Sequence, residues 1–219
     1  GPGMGSVSQI GWEWFIRTAR RRPVTLLTHV RNRAAIEAAG PLPEGARIEW
    51  IDSEWFAGPL HRLALRLFPR SEHAVFATSS LDFFVFDHLA LRRARALQRA
   101  GERWQVVHVV TPVTTSAATR LHRLGLPLVR GPLNCGLTSP AGFAAHLRTD
   151  ASWTSGVRHV TRAVDALLGS SRRASRLVAG TRATVAEIGQ RHASRTVVMP
   201  ENAIDPGTFT DKPWPGGAA

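Results

Sequence analysis

Three stretches of this chain carry residue types that can hold a phosphate or a sugar. The first is His108-Val-Val-Thr111-Pro112, with Thr114, Thr115 and Ser116 just behind it. A histidine at the end of an apolar run, followed by hydroxyls, offers an imidazole nitrogen, side-chain oxygens and free backbone N–H groups to an anion or a hydroxyl. The same residues also fit a buried histidine bonded to nearby backbone, with ordinary capping hydroxyls beside it. The second stretch runs from Gly131 through Pro132, Asn134, Cys135 and Gly136 to Gly142. Read as a long loop, it exceeds what a simple connection needs, and its glycines let backbone approach a ligand closely; the plainer alternative is an irregular surface loop. The third is Pro200-Glu201-Asn202, which places two polar residues at a strand tip. On periodicity alone it is only a turn.

Charge is concentrated on two further segments. Arg62, Arg66 and Arg70 recur at i, i+4 and i+8, and His88, Arg92, Arg95 and Arg99 form a second stripe. Beside that second stripe Phe83, Phe86, Ala90, Ala94 and Leu97 trace an apolar line. A basic, aromatic-rich helix can lie on an anionic membrane surface, whereas such charges are more commonly a solvated face. The net charge of +12 comes from 28 basic residues, all arginine except Lys212. That balance suits an anionic partner (nucleic acid, acidic lipid or a phosphorylated substrate) and does not choose between them.

The elements that must position these residues follow from the hydrophobic pattern. Trp12, Phe15, Ile16 and Ala19 define an amphipathic helix over 11–22, which Pro23 ends. Short apolar runs predict strands at 24–29, 47–51, 105–110, 127–130, 176–179 and 196–199. Helices are expected at 31–39, 59–68, 81–100 with Gly101 as its C-cap, 114–124, 157–168 and 182–188. Strand and helix alternate about six times, so the fold class is α/β: a Rossmann-like, mostly parallel sheet with helices on both faces and right-handed crossovers. Ligands of such sheets gather beyond the carboxyl ends of the strands, which is where the three stretches fall.

Several classes are disfavoured. With 219 residues, 43% of them hydrophobic, the chain can bury a core. No apolar run reaches the roughly 20 residues of a spanning helix. Met4 is not followed by a signal-peptide pattern. One cysteine, Cys135, excludes an internal disulfide framework and fits a reducing cytoplasm. There is no zinc-type Cys/His spacing, Walker A loop, G-x-S-x-G elbow or H-E-x-x-H motif. Residues 1–3 read as a cleavage scar, 4–205 as one domain, and the Pro/Gly-rich 206–219 as an interdomain linker that stops before a second domain.

Taken in order, six segments resemble the N-terminal lobe of retaining, GT-B-fold glycosyltransferases of family 4. These are Gly5-Ser6-Val-Ser-Gln-Ile-Gly11-Trp12-Glu-Trp14; Val24-Thr-Leu-Leu-Thr; Val106-Val-His108-Val-Val-Thr111-Pro112; Leu126-Pro-Leu-Val-Arg-Gly131-Pro132-Leu-Asn-Cys-Gly136; Ala174-Ser-Arg-Leu-Val-Ala-Gly-Thr; and Val197-Val-Met-Pro-Glu201-Asn202-Ala-Ile-Asp205. They span nearly the whole chain. Each motif is weak alone, and the six in register are moderately specific. The resemblance implies two Rossmann-like lobes facing across a cleft. This lobe would hold a glycan or lipid-linked acceptor, and the absent C-terminal lobe would hold the nucleotide-sugar. Configuration would be retained without a metal, and this chain alone would bind no cofactor and transfer nothing measurable. The acceptor and phosphate positions would be Gly5, Ser6, Gly11, His108, Thr111, Gly131, Pro132, Asn134 and Gly136, with His108 and Thr111 as catalytic candidates and Glu201 and Asn202 on the cleft rim. Arg62, Arg66, Arg92, Arg95 and Arg99 would be membrane or anion contacts, which places the protein in the cytoplasm or at the inner face of a membrane.

Three departures stand out. The family's central first strand is missing before Met4, which leaves a sheet edge open to self-association. Val110 replaces a histidine common in the family, and Asn134 and Cys135 replace glycines. Two other readings remain: a noncatalytic subunit that pairs with a separate donor lobe, and a basic module for anionic lipid or nucleic acid. The absence of any nucleic-acid motif makes this basic-module reading the weakest of the three, and no nucleic-acid partner is expected.

Overall fold

The computed structural model describes residues 6–115, 117–135, 165 and 167–200. Among these, helix α1 (Ser6–Ala19) opens the chain. It begins five residues earlier than its apolar stripe suggests, because residues 6–10 contain no breaker. Ile10, Phe15 and Ala19 form its buried face. Strands β1 (Val24–His29) and β2 (Ala46–Ile51) follow, joined through a 3₁₀ turn and the short helix α2 (Arg33–Ala38). They pair in parallel over their whole length, from Val24 opposite Ala46 to His29 opposite Ile51.

Three helices come next. Helix α3 (Glu54–Leu67) starts ahead of Pro59 and carries that proline inside it. Its real start signal lies upstream, where the Asp52 carboxylate accepts the Glu54 N–H at 2.9 Å. Helix α4 (Glu72–Ser79) has no counterpart in the sequence-based expectation. Helix α5 (Asp82–Arg99) ends as expected at Gly101, whose φ of +103° lets the Glu102 N–H reach Leu97 O at 3.0 Å.

Strands β3 (Val107–Val109), β4 (Leu128–Leu133), β5 (Arg176–Ala179) and β6 (Thr196–Val198) form a second parallel sheet in that spatial order. Helices α6 (Ser170–Arg173) and α7 (Arg182–Ile188) join its later strands. The densest core sits here: Leu128, Leu133, Leu177, Ala179 and Ile188 pack with Ala174.

The α/β class with parallel strands is thus as the sequence implies, with three differences. The strands form two sheets, β1–β2 and β3–β6, rather than one. The helix expected over 114–124 is absent; the described residues of that stretch are irregular until a 3₁₀ turn at Leu121–Leu124. Buried Asp87 of α5 draws the Thr119 hydroxyl and the Arg120 N–H away from helical geometry. Strand β4 continues three residues past Arg130, so Gly131 and Pro132 belong to the sheet and not to a loop. The helix expected over 157–168 lies almost wholly outside the described residues. No helix among those described is long and apolar enough to cross a membrane.

Candidate functional site

The carboxyl ends of β3 and β4 and one face of α1 meet around His108. His108 lies mid-strand in β3, opposite Val129 of β4. Its Nε2 sits 2.6 Å from the Gly131 carbonyl oxygen. A carbonyl only accepts, so Nε2 carries the proton and Nδ1 keeps the lone pair. Burial favours the neutral ring and lowers its pKa below the ordinary 6.5, and the bond to Gly131 opposes that shift. The imidazole also meets the Trp14 ring edge-on, with centroids 5.0 Å apart.

Helix α1 reaches the same place with its glycine. A Cβ at Gly11 would lie 3.1 Å from Thr111 Cγ2 and 3.7 Å from its hydroxyl, so glycine lets the helix close onto the end of β3. Gly11 faces Thr111 while Trp14, further along the helix, faces His108, further back along the strand. Helix α1 therefore runs antiparallel to β3 and carries its first turn to the strand's carboxyl end. That turn contains no acidic residue, and the positive end of the helix dipole favours an anion there.

Gly131 has a role the sequence did not reveal. At φ +122°, a Cβ there would stand 2.3 Å from Val178 O and 2.9 Å from Leu133 N. The close approach it permits is between β4 and β5, not between backbone and ligand. Pro132 is buried with it, and both the Gly131–Pro132 and Thr111–Pro112 peptides are cis. Asn134 leaves the strand toward the rim and donates its N–H to Val113 O at 2.6 Å. Cys135 is bracketed by Thr184, whose hydroxyl accepts from the Cys135 N–H at 3.0 Å and donates to its carbonyl at 2.9 Å. Burial raises the thiol's pKa, although hydrogen bonds from Thr115 and Thr184 act against the rise.

So Gly11, His108, Thr111, Gly131, Pro132 and Asn134 converge on one rim, as does the start of α1 at Ser6. Gly5, Ser116, Gly136, Glu201 and Asn202 lie outside the described residues. Arg62, Arg66, Arg92, Arg95 and Arg99 are on α3 and α5, away from this rim.

Arg130 was missed as a site residue. It is 1% exposed, although it stands in a strand amid apolar neighbours. Its Nη1 meets Asp165 at 3.1 Å, Ser170 Oγ at 2.9 Å and Ser171 Oγ at 2.7 Å. Its Nη2 donates to Ala117 O at 2.9 Å and Thr115 O at 3.5 Å. Burial works against the charge, and Asp165 supports it. Arg130 thus holds the segment behind Thr111 against α6 and fixes the back of the rim. The only sequence signal was an arginine interrupting an apolar run.

A second polar knot joins the ends of β1 and β2. His29 Nε2 lies 2.9 Å from the Ser53 hydroxyl, and its Nδ1 accepts the Arg31 N–H at 3.1 Å. The Ser53 N–H also approaches Nε2, at 3.3 Å, so a backbone N–H is directed at each ring nitrogen. The pair ties β1 to the start of α3. Nearby, Arg31 bridges Glu54 at 2.9 Å and Asp82 at 3.2 Å.

An open concavity of about 580 Å³ lies elsewhere, lined by Ala19–Pro23 and Pro43–Gly45. It sits at the amino ends of β1 and β2, opposite the edge where parallel sheets bind ligands, and the polar groups described above are not part of it. Among the described residues no group of three or more His, Cys, Asp or Glu side chains is arranged to hold a metal. Comparison with protein-family models, curated proteins and solved structures found no match.

Proposed function

We propose that this chain is the acceptor-binding half of a glycosyltransferase that moves a sugar from a nucleotide-sugar with retention of configuration, in glycan, glycolipid or polysaccharide synthesis. The observation that carries the reading is the meeting of α1, His108 and the end of β4 at one carboxyl rim. The ordered resemblance of six segments to family 4 supports it separately. In this reading the His108 Nδ1 lone pair and the Thr111 hydroxyl receive and orient acceptor hydroxyls. The first-turn amides of α1 face the negative charge that develops on the phosphate as the sugar–phosphate bond breaks. Gly131 and Arg130 hold those groups in place without touching substrate.

The donor carboxylate and most of the nucleotide contacts belong to a second lobe, so activity is a property of the two lobes together. Joined to a donor lobe, in one reading frame or as a separate subunit, the assembly should hydrolyse or transfer from a uridine, guanosine or thymidine diphosphate sugar. Silence with all of these donors would sink the reading. The basic-module alternative predicts instead that polynucleotide binding, lost steeply with salt, is the dominant activity.

A further inference from the structure

Helix α3 is built the wrong way round for a helix that only packs onto its own domain. Its inward residues are small: Ala57 and Ala64 are 7% and 0% exposed. Its large apolar residues point out, with Trp55 at 67%, Leu63 at 49% and Leu67 at 60%. At 100° per residue, Trp55, Arg62, Leu63 and Arg66 fall on one outward arc (i, i+7, i+8, i+11), so an indole and a leucine interleave with two guanidinium groups.

The charges on this arc differ from the arginines that neighbouring carboxylates neutralise. Arg17, Arg31, Arg47 and Arg93 each pair with a carboxylate: Glu13, Glu54 and Asp82, Glu102, and Glu49. Among the described residues Arg62 and Arg66 meet no carboxylate and make no side-chain hydrogen bond. The acids at the start of α3 are already engaged, Glu54 by Arg31 and Asp52 by the Glu54 N–H. The basic stripe of α5 is a different surface. Its apolar line turns inward through Ala90, Leu91 and Ala94, and Arg95 and Arg99 donate to the carbonyls of Arg123 and Arg95.

From this we infer that the outward face of α3 docks on an anionic lipid bilayer, with Trp55 and Leu63 entering the headgroup–acyl boundary and Arg62 and Arg66 meeting lipid phosphates. Amphipathic helices that bind membranes in this way combine buried apolar area with attraction to anionic lipid. A polynucleotide would pair with the arginines and could stack a base on the indole, but it would leave Leu63 and Leu67 in water. The inference is independent of the sugar-transfer reading, since it involves no residue of the rim.

The full chain should float with vesicles of 70:30 phosphatidylcholine and phosphatidylglycerol and stay behind with phosphatidylcholine alone. The double variant Arg62→Glu/Arg66→Glu should weaken partitioning at least about tenfold. Trp55→Ala/Leu63→Ser, which leaves the net charge unchanged, should weaken it comparably. Arg92→Glu/Arg99→Glu on α5 carries the same charge change and should partition within about twofold of the parent. Brominated lipid should quench the parent's indole emission more than that of Trp55→Phe, a mild change that keeps the fold testable if Trp55→Ala does not fold. The proposal is overturned if the parent ignores anionic vesicles, if the α5 variant loses as much as the α3 variants, if Trp55→Phe is quenched equally, or if a polynucleotide displaces the protein from the vesicles at equal phosphate.

Discussion

At His108 the two ring nitrogens face different surroundings. Nε2 is committed to the Gly131 carbonyl, while Nδ1 keeps its lone pair. Replacing the ring with alanine strands that carbonyl. His108→Ala should cost about 1–3 kcal/mol in urea unfolding, and His108→Gln, which keeps an N–H donor, should recover part of it. The ring also makes stability depend on pH. Its folded pKa lies below 6.5, so the unfolded chain takes up the proton first. The contribution is complete above pH 6.5 and is lost as the pH falls below it; His108→Gln should flatten the melting temperature over that window. Gly131 offers a sharper test. Gly131→Ala drives a Cβ into the Val178 carbonyl and should cost about 2–4 kcal/mol. At Gly40, also at positive φ but with nothing within 4 Å, the same change should cost about 1 kcal/mol.

At the scale of elements, Arg130 is what a single substitution can release. It joins Thr115 and Ala117 to Asp165 and the start of α6 through five hydrogen bonds. Arg130→Ala would leave Asp165 and two serine hydroxyls without their cation and should cost about 3–5 kcal/mol in chemical denaturation. How far these elements were legible in the sequence depended on the signal each one leaves. All six strands stand where apolar runs put them, since a strand covered on both faces writes a near-continuous run. Helix α7 likewise matched, marked by Thr181, whose hydroxyl accepts the Thr184 N–H. Helix α4 escaped because its residues segregate into no apolar stripe. The expected helix at 114–124 failed for a tertiary reason: Asp87 is distant in sequence, and no local pattern announces that it captures Thr119. For the site, the apolar run and the glycines marked segments that the structure brings together at the ends of β3 and β4. They could not tell that Gly131 serves strand packing or that Arg130 is buried, because both depend on which strand lies alongside.

Across the whole molecule, the division into two sheets is the main feature that sequence order did not foretell. Among the described residues β1 pairs only with β2, and β3 only with β4. Helix α1 packs against the ends of both sheets, and the Trp104 indole N–H reaches the Thr25 hydroxyl at 3.2 Å to tie them again. Strands β4 and β5 have neighbours on both sides. Native-state hydrogen exchange should therefore protect the amides of β4 and β5 most strongly and those of β1 and β3 measurably less. Equal protection across all six strands would mean that the free edges are covered.

Saccharide titration of isotope-labelled chain, read by NMR, tests the shared rim most directly. With a panel of mono- and oligosaccharides, the amides of Gly11, Thr111 and Asn134 and the His108 Nδ1 resonance should move together at one binding constant. Resonances lining the opposite concavity, from Arg20 to Arg22 and at Gly45, should stay still. Shifts confined to that concavity, or none with any saccharide, would contradict the assignment of this rim to a sugar acceptor.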